Sequence, residues 1–220
     1  MNDNFLTLNE FREAMQKVES VFDTERRLPE QVFKRPFRFH LLCEFGFAMS
    51  EVLEVLRKTG SPLASDTVLL TVLDPDPITF FYRKFQKLYA FYFKADITEQ
   101  EYYSMRWVEP INPVNYTKLI GFNTEIETYI PNSLSWAMWG ERSREIAAIG
   151  LDDPTFAEAL IANNGYWMDT ETALQRFADM PFIDHKVPED FRRALITNYG
   201  SRADLDKKLG EKVVYSWEKP

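Results

Sequence analysis

Phe11, Met15, Val18 and Phe22 recur at intervals of three or four with polar residues between them, the spacing that puts side chains on one face of a helix. Thr7 followed by Glu10 has the capping-box spacing, so the pattern predicts a first amphipathic helix over 8–22. The charged stretch 23–35 reads as loop, with Pro29 and Pro36 as breakers. Phe37-Arg38-Phe39-His40-Leu41 alternates and fits a strand, although the apolar texture around it is mixed. Over 48–58, Val52, Leu53, Val55 and Leu56 fall at helical periods among Glu51, Glu54 and Arg57, and Thr59-Gly60-Ser61-Pro62 stops the helix.

The run Thr67 to Leu73 is β-rich and uncharged, which predicts a buried strand. Asp74-Pro75-Asp76-Pro77 ends it, because proline cannot donate to a ladder. A second strand is expected over 89–93, and Thr98 with Glu101 opens a short helix toward Met105. The stretch 122–130 alternates briefly and fits either a strand or an amphipathic helix. From Ser133 to Gly150, two apolar segments flank a polar, glycine-containing turn, which is a hairpin pattern. Beyond Gly150 the texture becomes helical, with starts at Asp153-Pro154-Thr155, Asp169-Thr170-Glu171 and Pro188-Glu189-Asp190. The tail from Ser201 is charged, and Val213-Val214-Tyr215 reads as an edge strand. There is no internal repeat and no regular strand–helix alternation with glycine-rich turns. The order therefore predicts an α+β fold: a central, mostly antiparallel sheet packed by helices over 1–150, and a helical C-terminal segment, 151–220, packed on that core within a single domain.

Composition adds one oddity and two exclusions. Aromatic residues make up 15% of the 220, with 18 Phe, 10 Tyr and 5 Trp, a load that fills a thick core or makes a sticky surface. The formal net charge of -8 disfavours nucleic acid, whose binding is driven by basic patches, and suits a basic partner. The acidic, polar start and the lack of any apolar run of about 18 residues predict neither a signal peptide nor a membrane span. A single cysteine, Cys43, fits a reducing compartment and reads as a small buried hydrophobe. Cytoplasmic residence is the expectation.

Candidate chemistry is sparse. Asp74 and Asp76 at a strand end could touch a metal, but they are also ordinary turn formers, and two carboxylates are too few to define a metal site. Glu125 and Glu127 would share a strand face, as paired catalytic carboxylates can, or else belong to a solvated face. His40, in an apolar run, reads as a core imidazole and His185 as a surface one. No phosphate loop, dinucleotide fingerprint or nucleophile elbow is present, and no cofactor is expected. Among Trp107, Trp136, Trp139, Tyr166 and Trp167, the spacing of Trp136 and Trp139 sends them to opposite faces of a strand. The turn signal Asn163-Asn164-Gly165 is compatible with exposure of Tyr166 and Trp167, although core packing is the commoner fate of most of these aromatics.

Between Phe80 and Ile149 the chain carries Tyr82-Arg83-Lys84-Phe85, Tyr89-Ala90-Phe91, Ala95-Asp96, Glu101-Tyr102-Tyr103 and then Trp136-x-x-Trp139-Gly140-x-Arg142-x-x-x-Ile146. This succession resembles uncharacterised bacterial proteins of the polymorphic-toxin immunity type. The resemblance implies a non-enzymatic protein that occludes a basic protein toxin, and it carries over no catalytic residue. Polarity and placement nominate Asp74, Asp76, Glu99, Glu125, Glu127 and Trp167 as contacts. An alternative is a ligand-binding protein or enzyme with an aromatic-lined pocket, using Trp107, Trp139, Glu141 and Arg142. A third is a structural or phage-related assembly protein, which would need a large apolar interface between copies.

Overall fold

The computed structural model describes residues 5–83, 86–106, 120–163 and 165–218. Six strands form one sheet: β1 (Phe39–Glu44), β2 (Thr67–Asp74), β3 (Ala90–Lys94), β4 (Ile126–Pro131), β5 (Trp136–Glu141) and β6 (Ile146–Leu151). Their order is β1-β6-β5-β4-β2-β3, and every neighbouring pair is antiparallel. The described helices are α1 (Leu8–Val21), α2 (Ala48–Thr59), α3 (Glu99–Arg106), α4 (Pro154–Ala162), α5 (Thr170–Arg176), α6 (Glu189–Tyr199) and α7 (Arg202–Leu209). The chain is α+β, with a helix-rich C-terminal part. The ambiguous stretch 122–130 resolves as a strand from Ile126 onward.

The register sorts the side chains. Leu41, Ile149, Met138, Tyr129 and Leu70 are successive cross-strand partners and share one face; Leu42, Ala148, Trp139, Thr128 and Thr71 share the other. The first face is covered by α3 and α4, whose Tyr102 and Phe156 rings lie 5.6 Å from Phe93 and 6.5 Å from Trp136. Helix α2 packs beside α4. The second face is covered by α1, the loop 23–37 and α6, through ring contacts of Phe22 with Trp139 at 5.5 Å and of Tyr199 with His40 at 5.7 Å. Covering both faces explains why every residue of β4, β5 and β6 is buried. Trp136 and Trp139 do point to opposite faces, and both are core.

Helix starts follow local chemistry. Thr7 Oγ1 accepts from the Glu10 amide at 3.4 Å, and Glu10 Oε2 accepts from the Thr7 amide at 2.8 Å, the reciprocal capping box. The same box joins Thr98 and Glu101 ahead of α3. Asp153 caps α4 by accepting from the Thr155 amide at 2.9 Å, with Pro154 in the first turn. Asp153→Ala is expected to cost ~1 kcal/mol in urea unfolding, and Asp153→Asn less than half of that; equal losses in the two variants would count against the cap.

The charged stretch after Ser201 forms α7 within the helical C-terminal part, opened by a Ser201–Asp204 capping box. One expectation for the tail is corrected. Val213-Val214-Tyr215 is not an edge strand. Its polar groups are taken by side chains instead of a ladder: the Val213 amide donates to Asp206 at 2.8 Å, the Val213 carbonyl accepts from Arg202 at 2.6 Å, and Tyr215 Oη donates to Asp169 at 2.6 Å.

Candidate functional site

The strongest concentration of polar chemistry lies on the first sheet face, beneath the C-terminal end of α3. Alternation along β4 puts Glu127 and Tyr129 on that face. One helical turn separates Tyr102 from Arg106, so both reach the same place. Arg106 Nη2 lies 2.8 Å from Glu127 Oε2, and Nη1 donates to Tyr102 Oη at 2.8 Å and to Tyr129 Oη at 2.9 Å. Tyr129 Oη donates to Glu127 Oε1 at 2.9 Å, so the 2.7 Å contact between the two hydroxyls is donated by Tyr102. Donors thus run in one direction, from Arg106 through Tyr102 and Tyr129 to Glu127. Tyr89 Oη donates to the Arg106 carbonyl at 2.5 Å. Burial disfavours the Arg106 charge, but Glu127 and the three tyrosines outweigh it and raise the guanidinium pKa above its ordinary range. Burial pushes the Tyr102 hydroxyl up to about 12.

This network floors a cavity of about 210 Å³. Phe45 and Gly46, from the turn after β1, form one wall, with Met49 and Ser50 of α2 beside them. Tyr102, Tyr103 and Arg106 of α3 form another, and Arg142 and Glu145 of the β5–β6 turn close it. Gly140 lets the wall approach: a Cβ there would fall 2.8 Å from the Phe45 ring. Arg142 is held rigidly, with Nε donating to the Thr124 carbonyl at 2.6 Å, Nη2 to the Gly121 carbonyl at 2.9 Å, and its guanidinium 5.3 Å from the Phe45 ring centroid. Burial, reinforced by Glu44 and opposed by the nearby Arg142 charge, raises the Glu145 carboxyl above its usual range.

Of the described residues nominated for a pocket, Arg142 alone lines this cavity. Trp139 and Glu141 project from the opposite face of the sheet, where Trp139 is core and Glu141 Oε2 accepts from the buried Leu28 amide at 3.0 Å. Burial raises the Glu141 carboxyl despite that bond. Trp107 lies outside the described residues. Sequence reasoning missed Phe45, Tyr102, Arg106 and Glu145. The four-residue spacing of Tyr102 and Arg106 on a predicted helix was the available signal.

The nominated contact residues do not form one surface. Asp74 and Glu125 meet at the β2–β4 bulge, where the Glu125 amide donates to the Asp74 carbonyl at 2.8 Å. Asp76 is exposed, but it caps the helical turn that follows, accepting from the Ile78 and Thr79 amides at 3.0 and 2.6 Å. Glu99 is exposed at the start of α3. Two nominations are corrected. Glu127 does not sit on a solvated strand face, because α3 covers that face and Arg106 neutralises it. Trp167 is fully buried: residues 167–169 run beside β1, with Leu42 and Met168 exchanging backbone bonds of 2.8 and 2.9 Å.

The remaining reactive groups have structural surroundings. Burial, with Glu51 and Glu44 nearby, raises the Cys43 thiol well above its ordinary value and keeps it protonated. Burial, reinforced by Lys208, lowers His40 to about 4, so it is a neutral imidazole packed between Phe33 and Tyr199. His185 is exposed, 3.5 Å from Asp179. No group of three or more metal-ligating side chains occurs among the described residues, and no described helix is long and apolar enough to cross a membrane.

A different feature stands on the outside. Phe47, Tyr166 and Trp217 are 43%, 36% and 37% exposed. The Phe47 and Tyr166 rings lie 5.3 Å apart. Trp217 lies against Gly165, the neighbour of Tyr166, so closely that a Cβ there would fall 1.9 Å from the indole; Gly165 also has a φ of +69°. Arg176 stands 4.0 Å over the Trp217 ring, and Tyr215 stacks beneath at 4.7 Å. Two partly exposed aromatic groups, Phe47–Tyr166 and Tyr215–Trp217–Arg176, thus flank Gly165. Comparison of the chain with family models, characterised proteins and solved structures returns no match.

Proposed function

We propose that this chain acts by binding another protein in the cytoplasm, as an antagonist that occludes a basic toxin. The observation that carries the reading is the partly exposed aromatic surface on either side of Gly165, with Phe47 and Tyr166 on one side and Trp217 and Arg176 on the other. Large aromatics and arginine dominate the energetics of protein interfaces and are costly to leave in water without a use. The surface is built, since Gly165 makes room for Trp217 and the docked tail holds it in place through Tyr215 and the Arg202–Glu218 pair at 2.8 Å. The net charge of -8 favours a basic partner and would accelerate encounter with it.

The test is growth of cells expressing the product of the adjacent gene, alone and with this chain. The neighbour alone is expected to arrest growth and the chain to restore it. The Phe47→Ala/Trp217→Ala double variant, checked for an unchanged melting temperature, should bind the neighbour at least ~30-fold more weakly and fail to protect. A harmless neighbour, or full protection and unchanged affinity in the double variant, would overturn the reading.

A further inference from the structure

Two opposite charges, Arg142 and Glu145, line the Phe45 cavity; they attract each other through space, but no ion pair within 4.0 Å joins them among the described residues. Arg142 spends its guanidinium bonds on the Thr124 and Gly121 carbonyls and the Thr124 hydroxyl, and no carboxylate among the described residues lies within 4.0 Å of it. The Glu145 carboxylate likewise has no hydrogen bond or ion pair among the described residues. The other charges at the site already cancel, because Arg106 is paired to Glu127 at 2.8 Å. Between these two groups lies a cavity of about 210 Å³ with Phe45, Met49 and Tyr103 on its walls. That is below the ~300–1,000 Å³ of typical drug-sized sites, so an occupant must be small.

We propose that this cavity binds a free α-amino acid with an apolar side chain, its carboxylate on Arg142, its ammonium on Glu145 and its side chain against Phe45 and Met49. An anion alone would be repelled by Glu145, and a cation alone by Arg142. A zwitterion gives each a direct charge-assisted hydrogen bond that the two do not make with one another. The apolar walls supply the remaining affinity. Arg142 arrives pre-organised by its carbonyl contacts, and Glu145 is fixed by a left-handed backbone, φ 53°, that closes the β5–β6 turn. This proposal is independent of the protein-binding surface, and neither stands on the other.

Calorimetric titration with L-leucine, L-leucinamide and N-acetyl-L-leucine tests it. The amide keeps the ammonium and loses the carboxylate; the acetyl derivative does the reverse. Leucine is expected to bind, and each derivative to bind at least ~10-fold more weakly. Arg142→Gln should erase the preference for leucine over leucinamide. Glu145→Gln should erase its preference over N-acetyl-leucine. Glu145→Lys should go further and make N-acetyl-leucine the better ligand, a gain that a merely structural role for Glu145 would not produce. If Arg142→Gln does not fold, the two Glu145 variants decide alone. No binding of leucine at about 10 mM, where a ~1 mM site is mostly filled, would overturn the proposal. So would equal binding of all three compounds, or Glu145 variants that leave the ranking unchanged.

Discussion

Glu127→Ala is expected to destabilise the protein by ~3–5 kcal/mol at neutral pH, because it removes one partner of a buried ion pair and strands the other. The Glu127 side chain is 3% exposed and that of Arg106 11%. Without the carboxylate, the guanidinium keeps its bonds to Tyr102 and Tyr129 but loses its Glu127 counter-ion, and the Tyr129 hydroxyl loses its acceptor. Glu127→Gln keeps that acceptor and should lose less than alanine. Arg106→Met/Glu127→Leu should recover most of the loss, since an apolar pair of similar volume needs no desolvation of charge. The double-mutant cycle, completed by the single variants Arg106→Met and Glu127→Leu, should therefore show a coupling of at least ~2 kcal/mol. Urea denaturation reads every variant. A Glu127→Ala variant within ~1 kcal/mol of the parent would mean that water or rearrangement already solvates Arg106, and the network would lose its standing as the rigid floor of the cavity.

That pair also marks where the sequence stops being legible. Helix starts were readable because their determinants are local: Thr7 with Glu10, Thr98 with Glu101 and Asp153 before Pro154 each act within one turn. The β5–β6 hairpin was readable for the same reason. Alternation along β4 correctly groups Glu125, Glu127 and Tyr129 on one side, but it is silent about what covers that side. Coverage comes from α3, a separate stretch of chain, and only that packing turns Glu127 from a solvated carboxylate into a buried counter-ion. Trp167 fails similarly. The turn signal before it is real, but the chain leaving the turn pairs with the β1 edge through Met168 and draws the indole inward. Helix α7 falls within the C-terminal stretch expected to be helical, and its start, the Ser201–Asp204 capping box, is as local a signal as the others. The cavity was half legible. Arg142 stood out in the hairpin turn, whereas Glu145 gains meaning only where Phe45, whose amide donates to the Glu145 carbonyl at 3.1 Å, brings β1 beside that turn.

Glu51 should make stability fall as pH rises across neutrality, in a protein whose acidic charge would not by itself predict where. The residue sits on α2 and is 7% exposed. Burial, with Glu54 adding repulsion, raises its carboxyl to about 7, although Asn163 donates to it at 2.9 Å and Lys58 stands nearby. Lys58 is itself engaged by Glu54 and by the Asn163 side-chain oxygen, so its charge is shared. The ordinary value is 4.5. Between 4.5 and about 7 the folded chain holds a proton that the unfolded chain has released, so stability declines with rising pH through that window. The full effect is reached above pH 7 and amounts to as much as ~3 kcal/mol. Glu51→Gln, which can still accept from Asn163, mimics the protonated form. At pH 4 it should match the parent within ~0.5 kcal/mol, and at pH 8 it should be more stable by up to ~3 kcal/mol. His40 works in the opposite sense at lower pH: its value of about 4 removes stability as pH falls below the ordinary 6.5. The difference between parent and Glu51→Gln at each pH isolates Glu51 from that and from the raised Glu141 and Glu145 carboxyls. Parallel stability curves for the two proteins from pH 4 to 8 would show that Glu51 ionises at its ordinary value and that water reaches the α2–α4 contact.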